Sequence, residues 1–423
     1  MHDGLPDDFL DEVAAPTTTA LEWSPQQKAA IEGVDRWLDD PASQVYHLFG
    51  YAGTGKTTLA RECAKRAGGG VLFGAFTGKA ALILRQKGCA EASTIHRMIY
   101  NPKDKSAVDL VKLREDYRDE LLREVEKPDL LKHEAKCRAL AREIATEERR
   151  LKQPAFAINP DSEVRFSSLV VIDEVSMVGR RMGEDLLSFG TKVLVLGDPA
   201  QLPPIADGGF FIGNNPDTLL TEIHRQAAGS PVIELATAVR EGRGILDGAY
   251  GDSVVAPKGS FDIHEIASFD QILCGRNNTR RVINRRVREE VLGRETPLPV
   301  KGDRLVCLRN NHELGLLNGS LWDVVEVKPV DEDELLLSLL GEEDQIVESI
   351  AHVAPFLGKE LSYFERRNAD EFDFGYALTC HKAQGSQWGS VFVVDEGRCF
   401  GANAGKWLYT AITRAAERVT VVR

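Results

Sequence analysis

The chain has 423 residues, enough for two or more domains with cores of their own, and 43% hydrophobic with 28% charged residues is ordinary for a water-soluble globular protein. A formal net charge of −13 argues against a generally basic nucleic-acid coat, but leaves a local basic groove open, because net charge governs steering while its distribution governs binding. No apolar run approaches the ~18 residues of a membrane span, the N-terminus is acidic and not a basic-then-apolar leader, and seven cysteines without a C-x-x-C pair argue against zinc or a disulfide framework and for a reducing cytoplasm.

Residues 1–20 are acidic with a Thr17-Thr18-Thr19 run and read as a disordered tail. Ser24 then reads as a helix N-cap and Pro25 as the first helical residue, with the helix running through Leu38. Gln27 lies early in it. Its amide either sits on the surface or pairs with the donor and acceptor edge of an adenine.

Val45-Tyr46-His47-Leu48-Phe49 is short and apolar, a buried strand. It runs into Gly50-Tyr51-Ala52-Gly53-Thr54-Gly55-Lys56-Thr57-Thr58, which fits the phosphate-loop pattern G-x-x-x-x-G-K-[ST] without a mismatch. Leu59 to Ala67 follows as a helix without a breaker. Strand, glycine loop, helix is the order in which such a motif makes a site. Gly50, Gly53, Thr54 and Gly55 let backbone N–H groups close around a phosphate, and the helix start adds its positive dipole end, with Thr58 in the first turn. Lys56 reaches the β- and γ-phosphates of ATP, and the Thr57 hydroxyl ligates Mg²⁺.

Val71 to Phe76 is a second strand, and Thr77-Gly78-Lys79-Ala80 opens another helix, followed by Ser93-Thr94-Ile95-His96. Small polar residues at a helix start either contact a phosphate backbone or cap the helix. Between Lys105 and Gln153, Leu110, Leu113, Tyr117, Leu121 and Val125 keep a 3–4 spacing among charged residues, Pro128 interrupts, and Leu140, Ile144 and Leu151 resume. This predicts a helical hairpin projecting from the core. Phe156-Ala157-Ile158 and Val164-Arg165-Phe166 flank Asn159-Pro160-Asp161-Ser162 and predict two short strands joined by a turn, with the two phenylalanine rings either packed against the first domain or one of them free to stack at a duplex junction.

Leu169-Val170-Val171-Ile172 is an apolar strand ending in Asp173 and Glu174, at the carboxyl end where a parallel sheet binds its ligands. Downstream of the phosphate loop, Asp173 is placed to hold Mg²⁺ and Glu174 to polarise the attacking water. Lys192 to Leu196 is a further strand before Gly197-Asp198-Pro199-Ala200-Gln201, where Gln201 is placed to sense the γ-phosphate. Arg225 by itself reads as an ordinary surface arginine, ahead of an amphipathic helix at Val232–Arg240. Seven arginines between Arg276 and Arg294 face only Glu289 and Glu290, and read either as a solvated helix face or as a basic patch. Gln271–Cys274, Ser390–Val394 and Val419–Val422 are strands, and Lys301 to Val353 is β-rich around an Asn318-Gly319 turn, a small inserted barrel.

In this order the segments resemble superfamily 1 DNA helicases of the RecD/Dda-like, 5′-to-3′ branch. Gln27 is similar to that family's glutamine motif, Gly50–Thr57 to motif I, Asp173-Glu174 to motif II, Gly197–Pro204 to motif III and Arg225 to the motif IV arginine. Thr379–Gly385 resembles motif V and Arg414 the motif VI arginine. The resemblance runs from about residue 21 to the C-terminus and excludes Lys105–Gln153. Lys301-Gly302-Asp303-Arg304 and Leu317-Asn318-Gly319 resemble the two signatures of the branch's SH3-like module. Gln387 departs from it, standing where a glutamate is usual.

The resemblance implies an α/β chain of two RecA-like P-loop NTPase domains, with residues 21–98 and 167–215 forming the first and 216–300 and 372–423 the second. It implies a helical arm and hairpin at 99–166 and an SH3-like barrel at 301–371. ATP and Mg²⁺ are the implied cofactors, with Gly385 joining the nucleotide contacts, and Arg225 and Arg414 neutralising γ-phosphate charge. Thr77, Lys79, His96, Thr379 and His381 are the implied DNA contacts. Single-stranded DNA and duplex junctions are the implied partners, with replication, recombination or repair proteins beside them and no membrane. A nucleotide-dependent switch or loader without processive unwinding is the alternative, and a non-catalytic binding protein on the same fold is a third.

Overall fold

The computed structural model describes residues 22–102, 106–123, 129–152, 156–203, 209–213, 215–223, 229–342, 344–361 and 365–423. The expected acidic tail and Arg225 lie outside these residues.

The first half is built on strands β1 (Val45–Gly50), β2 (Val71–Ala75) and β3 (Ser93–Thr94). The short ribbon β4 (Tyr100–Pro102) and β5 (Phe156–Ile158) comes next, then β6 (Leu169–Asp173), β7 (Val193–Gly197) and β8 (Thr218–Leu220). Six of them form one parallel sheet in the order β3-β2-β6-β7-β1-β8. Strands β6 and β7 are its centre and read as continuous apolar runs because both faces are covered. Alternation along β6 sends Leu169 and Val171 to the side of helices Pro25–Asp39 and Lys56–Ala64. Val170 and Ile172 face helices Ile95–Ile99 and Arg180–Leu187.

The expected helical hairpin is present as helices Val108–Leu122 and Leu130–Lys152, joined by Arg114–Glu148 at 2.5 Å and Lys136–Glu120 at 2.7 Å. Leu110 and Leu151 are buried at its base, whereas Leu121, Leu122, Leu130 and Leu131 at its far end are exposed. The strand pair expected across Asn159–Ser162 is different. Phe156–Ile158 pairs antiparallel with Tyr100–Pro102, and Glu163–Phe166 is a single 3-10 turn. The Ser162 hydroxyl accepts the Val164 N–H and donates to the Met98 carbonyl, so the chain is tied into a turn where an extended strand was expected. Phe156 stacks on Tyr100, while Phe166 is 79% exposed.

The second half carries β9 (Gly248–Tyr250), β10 (Ser253–Ala256) and β11 (Gln271–Cys274), then an inserted group and finally three more strands. The inserted strands are β12 (Arg304–Cys307), β13 (Leu321–Pro329), β14 (Glu334–Gly341), β15 (Ile346–His352) and β16 (Phe372–Phe374), in one antiparallel sheet ordered β15-β14-β13-β12-β16. Every second residue of β14 is buried, the two-residue period of a sheet with one face on a core. After the insertion come β17 (Ala377–Thr379), β18 (Trp388–Val394) and β19 (Ala415–Val422), and the second sheet runs β17-β11-β18-β19-β10-β9, parallel except at its β9 edge.

The arginine run forms helix Asn277–Arg286 and the turn Val287–Val291 that continues it. Neither reading covers the run: Arg280 meets Asp373 at 2.7 Å and Arg288 meets Asp303 at 3.0 Å, carboxylates from elsewhere in the chain, while Arg286 meets the run's own Glu290 at 2.7 Å. Among the described residues no helix is long and apolar enough to cross a membrane.

Candidate active site

Strand β1 ends at Gly50, where a Cβ would lie 2.6 Å from Thr54 Oγ1 and 2.9 Å from Leu220 Cβ, so only glycine lets the chain turn there. Gly53 and Gly55 have left-handed φ of 79° and 76°, and the loop they shape leads straight into helix Lys56–Ala64. Lys56 Nζ donates to the carbonyls of Gly50 at 2.7 Å and Tyr51 at 3.0 Å. The Thr57 hydroxyl donates to Asp173 Oδ2 at 2.9 Å, and Asp173 Oδ1 accepts the Glu174 N–H at 2.8 Å. Glu174 itself stands at φ 54°, a left-handed conformation that a residue with a Cβ disfavours. Burial raises its carboxyl above the usual glutamate range, against the opposing pull of Arg414.

Arg414 comes from the other half. It is buried, with Nε donating to the Thr410 carbonyl at 3.2 Å and Nη1 to the Ser386 carbonyl at 3.2 Å, and Nη1 lies 3.9 Å from Glu174 Oε1. Between the halves is a cavity of about 300 Å³, lined by the glycine loop, Asp173, Glu174, Asp198, Gln201, Gly385, Gln387 and Arg414. A second cavity of about 460 Å³ shares Ala52, Gly53, Gly55 and Gln387 with it and adds Trp23, Gln27 and Ile233.

Gln27 is buried, and both ends of its amide are engaged: Oε1 accepts the Ser24 N–H at 3.0 Å and Nε2 donates to the Thr54 carbonyl at 3.2 Å. One side chain thereby closes the capping box of its own helix and fastens that helix to the glycine loop. Gln201 is also buried, and among the described residues its Oε1 has no hydrogen-bond partner. A Cβ on Gly385, at φ 78°, would lie 2.9 Å from Ala80 Cβ and 3.0 Å from Thr77 Oγ1 across the seam. The guanidinium of Arg240 lies 3.6 Å from the centre of the Tyr51 ring, a second contact between the halves at the loop.

The residues expected on DNA are spread over both halves. Thr77 caps helix Gly78–Gln86 by accepting the Ala80 N–H. Lys79 is buried and paired with Glu342 beyond the end of β14. His96 lies among Phe76, Tyr100 and Phe156 with ring centres 5.3 to 5.9 Å away, and His381 lies 5.4 Å from Phe400. Burial lowers both imidazoles below their usual range. Thr379 ends β17, with its hydroxyl accepting the Lys382 N–H. Sequence reasoning gave no role to Asp198, although an acid directly after an all-apolar strand is the sign that had marked Asp173.

A glycine loop opening a helix on one parallel sheet, faced by an arginine from a second, defines an α/β P-loop fold of the helicase kind. A family model described as an AAA domain matches residues 22–253, and one described as a UvrD-like helicase C-terminal domain matches residues 374–422. The first covers more than half of the chain, which belongs to this family; the two matches and the RecD2 relative below together support a superfamily 1 helicase of the RecD kind.

The ATP-dependent RecD2 DNA helicase of Deinococcus radiodurans is 28% identical over 284 residues, 59% of this chain and 35% of that protein. The conjugal transfer protein TraA of Agrobacterium fabrum is 25% identical over 405 residues, 86% of this chain and 29% of that protein. The chain thus spans about a third of the length of these curated relatives. A solved structure described as two coordinating Pif1 helicases unwinding forked duplex DNA superposes with a TM-score of 0.53 at 15% identity, over 95% of this chain and 92% of that one, a likeness in fold.

Proposed function

We propose that this chain is an ATP-driven translocase that moves 5′ to 3′ on single-stranded DNA and unwinds duplex at junctions. The observation that carries it is the approach of Arg414 to Glu174 across the seam of the two parallel sheets, 3.9 Å from guanidinium to carboxylate. On this reading residues 21–98 with 167–215, and 216–300 with 372–423, are two RecA-like domains. Residues 99–166 are an arm on the first, and the antiparallel sheet within 301–371 is an SH3-like module on the second.

Lys56 holds the β- and γ-phosphates and backbone N–H groups between Gly50 and Thr58 cradle them, while Gln27, its amide engaged by Ser24 and Thr54, borders the adjoining cavity on the base side and braces the loop, with Gln387 beside the sugar. The Thr57 hydroxyl and Asp173 carboxylate, 2.9 Å apart, are hard oxygen donors that suit Mg²⁺. Those two side chains would hold Mg²⁺, which would supply charge neutralisation at the phosphates. Glu174 accepts a proton from the attacking water, and its raised pKa brings it nearer to the operating pH, as a general base requires. Gln201 accepts from that water, a role supported by its Oε1 having no hydrogen-bond partner among the described residues. Arg414, and by the family resemblance Arg225, offset negative charge on the transferred phosphoryl group. Thr77, Lys79 and His96 on one domain and Thr379 and His381 on the other hold the strand by its phosphates, which makes movement sequence-independent.

The test is unwinding of duplexes with a 5′ or a 3′ single-stranded tail, run beside ATP hydrolysis. Only 5′-tailed duplex is expected to open. Hydrolysis is expected to rise with single-stranded DNA and lose that stimulation as salt increases. Lys56→Ala is expected to abolish hydrolysis without shifting thermal unfolding. A rate indifferent to DNA at low salt overturns the translocase and favours the switch or loader.

A further inference from the structure

Tyr409 belongs to helix Ala404–Ile412 of the second half, yet its hydroxyl is built into the first. It accepts the Ala52 N–H of the glycine loop at 3.0 Å and donates to Asp198 Oδ2 at 2.6 Å. The residue is 2% exposed, so water does not compete for either bond. Burial and the neighbouring Asp198 carboxylate push the phenol well above its usual range, which keeps it a donor at any working pH.

Both partners matter to the cavity. Ala52 is part of the loop that wraps it, and Asp198 sets the turn that presents Gln201 to it. Asp198 Oδ1 accepts the Ala200 N–H at 2.9 Å, and the Asp198 carbonyl accepts the Gln201 N–H at 3.1 Å. Tyr409's helix, Ala404–Ile412, also leads straight into the turn that carries the arginine: the Tyr409 carbonyl accepts the Thr413 N–H at 3.0 Å, and Arg414 Nε donates to the Thr410 carbonyl. Tyr409 and Arg414 therefore travel together.

We infer that Tyr409 is a positioning residue for nucleotide hydrolysis, which reports the arrival of the arginine-bearing half to the glycine loop and the Gln201 turn through the chain Ala52–Tyr409–Asp198. The inference rests on the reading of the cleft as a site of ATP hydrolysis. Other bonds stitch the same seam: the Leu202 N–H to Thr410 Oγ1 at 2.8 Å, Gln384 Nε2 to the Leu202 carbonyl at 2.9 Å and Lys406 Nζ to the Pro199 carbonyl at 3.1 Å. None of these hydrogen bonds reaches the glycine loop, which the second half also meets through Arg240 stacked on Tyr51. Opening the seam frees the Ala52 N–H and the Asp198 carboxylate together, so the loop and the turn change state as one.

The experiment measures kcat and KM for ATP on the full chain, with and without an oligo-dT strand, beside thermal unfolding. The proteins are wild type, Tyr409→Phe, Asp198→Ala, the double variant, and Tyr409→Phe with Thr410→Ala. Phenylalanine keeps the ring's packing, so unfolding should stay near wild type. Loss of a hydrogen bond to a charged group should lower kcat about tenfold, with KM little changed. Asp198→Ala should cost more than Tyr409→Phe, since it also removes the Ala200 bond, but the double variant should fall well short of the product of the two single losses because they share one link, whereas Thr410→Ala should multiply with Tyr409→Phe.

Multiplicative effects of Tyr409→Phe and Asp198→Ala, or wild-type kcat in Tyr409→Phe, would overturn the inference. Should Asp198→Ala fail to fold, Asp198→Asn enters the same cycle. An ATPase that ignores DNA yet shows the coupling overturns the translocase and supports Tyr409. A DNA-stimulated ATPase without the coupling does the reverse.

Discussion

Glu174 occupies a backbone conformation that its side chain disfavours and a setting that its charge disfavours. The φ of 54° is a left-handed position of the kind that costs about 1–3 kcal/mol and collects at functional sites. Burial raises the carboxyl's pKa, so the folded protein holds this proton more tightly than the unfolded chain. The resulting stability is greatest below the unfolded glutamate range and is lost as pH rises through the folded value. At neutral pH the ionised group is a burden. Glu174→Gln is therefore expected to abolish ATP turnover while raising stability by roughly 0.5–2 kcal/mol, read by thermal unfolding and nucleotide hydrolysis on the same sample. The acid limb of kcat against pH should likewise lie above the range of a free glutamate, since the base works only when ionised.

Lys56, Thr57, Asp173 and Glu174 could be picked out from the sequence because their types and spacing carry phosphate chemistry within short contiguous stretches. Tyr409 could not. Its partners are 357 and 211 positions away, and a tyrosine in an apolar helix looks like any core residue.

At the scale of elements, local patterns foretold the parallel strands and their caps, and failed where a partner is distant. Phe156–Ile158 has the strand pattern, but its partner lies at Tyr100–Pro102 on the far side of the helical arm, and nothing in residues 159–166 announces that. The arginine run was ambiguous for the same reason, because its carboxylates come from elsewhere in the chain. Asp303, wholly buried, accepts from Arg288 Nε at 3.0 Å, Arg294 Nη1 at 2.5 Å, Tyr376 Oη at 2.8 Å and the Val300 N–H at 2.8 Å. It fixes the arginine helix to the first strand of the inserted sheet. Asp303→Ala strands two mostly buried guanidinium groups and should cost about 3–5 kcal/mol in urea unfolding. A loss near that of a surface pair would mean that the arginines find water instead.

For the molecule as a whole, the inserted sheet belongs by sequence to the second half but reaches across to the first. Leu317 lies against Gly78, with a Cβ there only 2.9 Å from Leu317 Cδ2, and Glu342 pairs with Lys79. Asn318 Oδ1 accepts from Lys382 Nζ at 3.2 Å on the second half. The sequence showed a β-rich insertion and no hint of this docking, since Lys79 and Glu342 are 263 positions apart. Lys79 is also a proposed DNA contact, so Glu342 holds the place that a phosphate would take, with the same charge and similar oxygens. Glu342→Gln should tighten single-stranded DNA binding roughly several-fold at low salt, measured by fluorescence anisotropy. An unchanged affinity would place the strand away from Lys79.

Gly385 limits how near the two halves can come. Where it meets Ala80 and Thr77 the space between them is one hydrogen atom wide, for a Cβ would already be 2.9 Å from its neighbour. The approach of the two halves at this point is thus bounded by a mechanical stop as well as by attraction. A single added methyl group there works as a doorstop: every charged residue of the cleft stays intact, and Arg414 is held short of its reach.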